Sequence, residues 1–139
     1  MLITNAKTLG DIGKYTEVVT CRAGAAITAK QNVMLDVSVG MVEHQTVIPD
    51  TGTAYFVGIA LEAQATTGGD IRVAVAGFVD NAIGDGSVSA GEALMPKAGS
   101  VFDSYAAASV LPVVGVALED DAPAMAVCLC GYGKGLLSL

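Results

Sequence analysis

Along most of the chain, branched apolar residues alternate with small or polar ones at a period of two, the pattern of β-strands. It is clearest in Ile71-Arg72-Val73-Ala74-Val75-Ala76-Gly77-Phe78 and in Met125-Ala126-Val127-Cys128-Leu129-Cys130-Gly131-Tyr132. In a strand, Val73 and Val75, like Val127 and Leu129, share one face, and small residues take the other. Turn-forming clusters punctuate these runs at Thr66-Thr67-Gly68-Gly69-Asp70, Asn81-Ala82-Ile83-Gly84-Asp85-Gly86 and Asp120-Asp121-Ala122-Pro123. Many short strands with turns about every 8–12 residues predict an all-β sandwich or small barrel. Only residues 103–111, with Ala106-Ala107-Ala108 behind an Asp103 cap, read as a short helix.

The pattern is doubled. Val57-Gly58-Ile59-Ala60-Leu61-Glu62 recurs as Val114-Gly115-Val116-Ala117-Leu118-Glu119, and each is followed by one of the two alternating runs above. The connector between them is three residues shorter in the second copy. Upstream, Ile27-Thr28-Ala29-Lys30-Gln31-Asn32-Val33-Met34 parallels Val88-Ser89-Ala90-Gly91-Glu92-Ala93-Leu94-Met95. Two units of about 50 residues are too few for a solenoid, which needs at least three to bury its faces. The expected fold is therefore a small pseudo-twofold β-sandwich or barrel, residues 15–134, made of repeats at about 15–79 and 80–134. Gly58 and Gly115, inside predicted strands, suit a bulge or a close backbone approach. Residues 1–14 lie outside the repeat and read as a flexible N-terminal arm, and residues 135–139 as a C-terminal tail. The leucines of that tail need a cover, either the chain's own core or a neighbouring subunit.

Composition sharpens this. Hydrophobic residues are 53% of the 139 but aromatics only 5%, the weight lying in 22 Ala and 18 Val. Charged residues are 15% of the chain, below the roughly 25% usual in soluble domains. Such a chain is too apolar to be disordered. Its longest uncharged stretch, residues 104–118, is interrupted by Pro112 and Gly115, and a helical membrane span needs about 20 apolar residues. No membrane partner is expected. The apolar excess points instead to protein partners. Seven Lys+Arg against 14 Asp+Glu give a net charge of −7, which argues against nucleic acid as a ligand. Met1-Leu2-Ile3-Thr4-Asn5-Ala6-Lys7 lacks the layout of a signal peptide, so synthesis and folding in a cytoplasm are expected.

Candidate chemistry is thin. His44, the only histidine, sits in Met41-Val42-Glu43-His44-Gln45-Thr46 with no nucleophile motif nearby, so it reads as structural rather than catalytic. Cys21, Cys128 and Cys130 are odd in number, against a disulfide framework, and Cys128 and Cys130 lack the second pair a zinc site wants. They align with Ala74 and Ala76 and read as small buried thiols. Glu62 and Glu119, at equivalent strand ends, read as acceptors for turn amides. Gly131-Tyr132-Gly133-Lys134-Gly135 misses the hydroxyl residue of a phosphate loop. Asn81, Asp85, Gly86 and Glu92 fall at calcium-loop offsets, but Ile83 stands where a third oxygen ligand belongs. The expectation is no enzyme, no metal and no cofactor.

The doubled VG(I/V)ALE and VxVxG(F/Y) elements, each after an (I/V)-x-A-(G/K)-x-x-(V/L)-M hairpin, resemble the small capsid cement or decoration proteins of tailed bacteriophages. The likeness covers roughly residues 15–134. More distantly, the layout from Val57 to Phe78 is similar to the head-stabilising decoration proteins of lambdoid phages. The resemblance implies a mostly β virion protein on the exterior of the capsid, commonly a homotrimer, clamping neighbouring major capsid protein subunits. Within that reading, Leu2, Ile3, Leu9 and Ile12 of the arm are the expected capsid-binding residues, since an extended arm can add a strand to a neighbour's sheet edge. The alternative is a small β-barrel binding module for a host-surface or sugar ligand, although no Trp is present to stack on sugars.

Overall fold

The computed structural model describes residues 16–39 and 45–137. Among these residues nine strands and one short α-helix follow in order, with a 3-10 turn at Val37–Val39: β1 (Glu17–Ala23), β2 (Asn32–Leu35), β3 (Thr46–Pro49), β4 (Phe56–Ala60), β5 (Asp70–Ile83), β6 (Ala93–Lys97), β7 (Val101–Ser104), β8 (Gly115–Ala117), β9 (Ala124–Leu129) and α1 (Tyr132–Leu137). The protein is all-β, as the alternation predicts. The pairing order β1-β3-β2-β4-β5 closes on itself through a β1–β5 pairing, making a five-stranded barrel. Closure leaves no free sheet edge in this half.

The second half repeats the same pairings. β5 is long enough to serve both: up to Ala76 it pairs with β1, and from Gly77 onward it pairs with β9. The order then runs β5-β9-β8-β6-β7, and a parallel bridge between Gly84 and Phe102 links the last strand back to the end of β5. The equivalence extends to single hydrogen bonds. In the first half Gly24 N–H donates to Val47 O at 2.8 Å, and in the second Asp85 N–H donates to Phe102 O at 3.0 Å. Ala60 N–H donates to Gln31 O, as Ala117 N–H does to Glu92 O, both at 2.9 Å. The turn preceding β2 is pinned by Thr28 N–H on Gln31 Oε1, and its counterpart by Ser89 N–H on Glu92 Oε1.

Two glycine pairs show why the motifs repeat. A Cβ on Gly58 would collide with the carbonyl oxygen of Ala74, and one on Gly115 would lie 2.6 Å from that of Cys128. Strands β4 and β8 thus approach their neighbours too closely for any side chain. Gly77 and Gly131 both take left-handed backbone angles, φ +89° and +87°, which an L side chain resists. After Gly77 the chain continues as strand into the second half. After Gly131 it turns into α1 instead.

The helix lies elsewhere than expected. Residues 103–111 are not helical: Asp103 and Ser104 end β7, paired with Met95 and Leu94, so the expected cap is held in a strand, and Ala106–Ala108 lie in the turn that follows. The helix is α1, which takes in residues 135–137 of the expected tail. It docks against β4, with the Cα of buried Gly133 set so close to Val57 that a Cβ would overlap its carbonyl oxygen. Leu136 and Leu137 pack onto the first barrel's core, so the chain's own core covers these tail leucines. Ser138 and Leu139 lie outside the described residues.

Two cores result. One fills the first barrel with Cys21, Val33, Val47, Val57, Ile71 and Val73 among others. The other fills the second half with Val79, Leu94, Phe102, Val114, Met125 and Val127, and it also takes Phe56, Ile59 and Ala74 from the outer face of β4 and β5. Phe56 meets Phe102 with ring centroids 5.7 Å apart. All five residues of β4 are buried because it stands between the two cores.

Two carboxylates, Asp50 where the halves meet and Asp85 within the second half, give opposite pH behaviour. Buried Asp50 accepts from the Gly52 and Thr53 amides through Oδ1, while its Oδ2 finds no partner among the described residues. Burial pushes its carboxyl above the ordinary 3.8, so the folded state takes up its proton more readily and gains relative stability as pH falls towards that range. Asp85, beside the Lys97 ammonium at 2.6 Å, is held well below the usual carboxylate range, chiefly by that lysine. Its contribution is present above about pH 4 and is lost progressively below it. Asp50→Asn is therefore expected to melt higher than the wild type at pH 7 and to converge with it on acidification. Asp85→Asn is expected to melt lower at pH 7 and to lose part of the acid sensitivity. Thermal melts from pH 3 to 7 check both.

Candidate interaction surface

The expected arm contacts Leu2, Ile3, Leu9 and Ile12 lie outside the described residues, as does His44. The remaining sequence candidates are used internally. Glu62 Oε1 accepts from Arg72 N–H at 3.3 Å, and Glu119 Oε1 from Ala126 N–H at 2.8 Å. These are strand amides rather than turn amides, and each carboxylate ties the end of one strand to the start of the next. Glu62 also meets the Arg72 guanidinium at 3.2 Å. The segment with phosphate-loop likeness is the bend at Gly131 and the first four residues of α1. The calcium-loop offsets fall on strand and turn: Asp85 takes Ser87 and Lys97, and Glu92 takes Ser89 and Ser104. Among the described residues no three His, Cys, Asp or Glu side chains are grouped to hold a metal. No described helix is long and apolar enough to cross a membrane.

One cysteine reading needs correction. Cys21 is buried, its thiol pushed up to about 11 by desolvation, but Cys128 is half-buried and Cys130 exposed. Inward residues of β9 (Met125, Val127, Leu129) fill the second core, while Cys128 and Cys130 point outward. Ala74, the counterpart of Cys128, is buried because the second half covers the outside of the first barrel, and Ala76, the counterpart of Cys130, is half-buried. Among the described residues, nothing covers the corresponding side of β9 to the same extent.

A shallow groove of about 320 Å³ lies at Thr16, Val18, Lys30, Leu61, Arg72, Phe78, Val79 and Asp80. It mixes both signs of charge and brings no nucleophile beside a general base. The more distinctive surface is apolar. Tyr105, Val110, Val113, Val116 and Leu118 are all exposed, within one run from the end of β7 through β8. Ala106, Ala107 and Ala108 are exposed beside them. Sequence reasoning missed this surface as a site, although the signal was present: residues 104–118 are the longest stretch without a charge. Exposed branched and aromatic residues recur along this run, alternating with buried Val114 and Ala117.

The geometry defines a class: a closed five-stranded barrel joined through one shared long strand to a second unit with the same pairings. A solved structure with this fold is the head fiber gp8.5 N base of bacteriophage phi29, superimposing with a TM-score of 0.61 at 13% sequence identity. The match covers 82% of this chain and 93% of that one. No family model matches the sequence, and no curated protein sequence does. The relationship is one of fold.

Proposed function

We propose that this chain is a structural virion protein that binds the outer surface of a tailed-phage head and cements neighbouring major capsid subunits. The observation carrying this reading is the fold shared with a phage head fiber base across most of both chains. The resemblance of the doubled VG(I/V)ALE and VxVxG(F/Y) elements to capsid decoration proteins supports it from the sequence side. The site inventory agrees: polar side chains are spent on holding strands together, and the distinctive free surface is apolar. A net charge of −7 suits a protein that should not bind the packaged genome. In this reading the chain is made in the host cytoplasm and assembles as a homotrimer on the shell. Residues 1–14 reach out to the major capsid protein through Leu2, Ile3, Leu9 and Ile12.

Cementing is tested on heads isolated without this protein. Adding it back is expected to raise the temperature at which packaged DNA is released. Binding with no change in release temperature would leave attachment but overturn cementing. Deleting residues 1–13 is expected to weaken head binding and leave the melting temperature of the free protein unchanged. Undiminished affinity would refute the arm's role.

A further inference from the structure

The two halves repeat the same strand pairings, but at one place they carry different chemistry. Asp50 N–H donates to Asn32 O at 2.9 Å, and in the second half Tyr105 N–H donates to Ala93 O at 2.8 Å. Asn32 aligns with Ala93 in the sequence repeat, so the two backbone links are equivalent. The second unit makes its link with an alanine and an exposed tyrosine, so the pairing itself asks for no polar side chain here. In the first unit the same two places hold an amide and a carboxylate, Asn32 and Asp50, 0% and 1% exposed. The register of Val33 with Pro49 sets them opposite one another. Opposite residues of an antiparallel pair present their side chains on one face, with Cβ atoms about 4.5–5.5 Å apart.

Local duties leave three of their atoms over. Asp50 Oδ1 holds the following turn through the Gly52 and Thr53 amides. Asp50 Oδ2, Asn32 Oδ1 and Asn32 Nδ2 are buried with no hydrogen-bond partner among the described residues. Neighbouring hydroxyls are already engaged: Ser100 Oγ donates to Asp50 O at 2.9 Å, and those of Thr51 and Thr53 lie on the Met34 sulfur. Asn32 N–H donates to the carbonyl of the same buried Ser100, which brings the turn between β6 and β7 against both residues. A buried polar atom left unpaired forfeits its hydration with nothing in return.

We propose that Asn32 and Asp50 form a binding site for internal water at the junction of the two units. The atoms left over are two acceptors, Asp50 Oδ2 and Asn32 Oδ1, and one donor, Asn32 Nδ2. Water both donates and accepts, and internal waters make about three such bonds to groups that otherwise have none. A bare cation fits the set poorly. It would meet the Nδ2 protons and only two oxygens, where calcium takes about six to eight. The water links the start of β2 to the end of β3 beneath the turn of the second unit. This site is independent of head binding.

The test uses the full chain in solution. Magnetic relaxation dispersion of water deuterons counts waters held inside a protein for longer than it tumbles. Asn32→Leu keeps the branched shape of the side chain and removes both amide polar atoms. It is expected to lower the dispersion amplitude by about one water per chain or more, with an unchanged β-type circular dichroism spectrum. Should Asn32→Leu misfold, a crystal structure of the wild type decides. It is expected to show a water oxygen within hydrogen-bond distance of Asp50 Oδ2 and of the Asn32 amide. An undiminished amplitude in the folded variant, or an Asn32 amide bonded directly to the Asp50 carboxylate with nothing between them, overturns the site. Exchanging sodium for potassium or calcium at constant ionic strength is expected to move the melting temperatures of wild type and Asn32→Leu alike. A shift confined to the wild type would mean that a cation sits there instead, and it too overturns the assignment.

Discussion

Gly58→Ala is expected to destabilise the protein by at least about 3 kcal/mol, at the severe end for a single substitution. The added methyl group collides with the carbonyl oxygen of Ala74, which is backbone and cannot rotate away. β4 has no room to retreat, because it is hydrogen-bonded to β2 on one side and β5 on the other, and all five of its residues are buried. The equivalent Gly115→Ala places its Cβ 2.6 Å from Cys128 O, a milder clash, in a strand with exposed Val116 facing outward. It is expected to cost about 1–2 kcal/mol. Urea denaturation of both variants checks the order. Equal losses would mean that the two strands are held with equal rigidity, against the burial difference between them.

Gly133→Val is expected to cost about 2–4 kcal/mol by expelling α1, from the lost burial of two leucines and the clash itself. In a chain of this size that lowers the melting temperature by roughly 5–15 °C. A Cβ at position 133 overlaps Val57 O, so the helix cannot remain docked, and Leu136 and Leu137 lose their place on the first core. The Tyr132 hydroxyl, which donates to Ala54 O at 2.6 Å, loses that partner as well. Removing residues 132–139 altogether is expected to give a similar loss, which separates detachment of the helix from damage to β4. A Gly133→Val protein that melts like the wild type would contradict the docking.

Much of the first-order architecture was legible because it is local. Alternation at a period of two marks which residues of β5 and β9 face inward, and the burial of Val73, Val75, Val127 and Leu129 follows it. The repeat was legible because identical strand pairings impose the same demands twice: a glycine at 58 and 115, a carboxylate at 62 and 119. What was not legible depends on what lies outside each unit. Cys128 and Cys130 align with Ala74 and Ala76, but alignment carries no information about which copy is covered. The passage of β5 unbroken across residues 79 and 80 was hidden by the Asx- and Gly-rich segment that follows, part of which is strand. α1 was hidden by its own glycines, poor helix formers that are present because Gly133 must lie against β4.

Among the described residues, Val113, Val116 and Leu118 are less covered than their counterparts Phe56, Ile59 and Leu61, which is where the two copies of the pattern differ most. In the proposed reading, the arm serves the shell. The direct measurement is binding to heads. Expanded heads from a stock lacking this chain, mixed with the purified protein and pelleted through sucrose, are predicted to carry it down at a saturating, fixed number of copies per head. Protein left in the supernatant at every concentration, with heads of its own phage, would contradict the account.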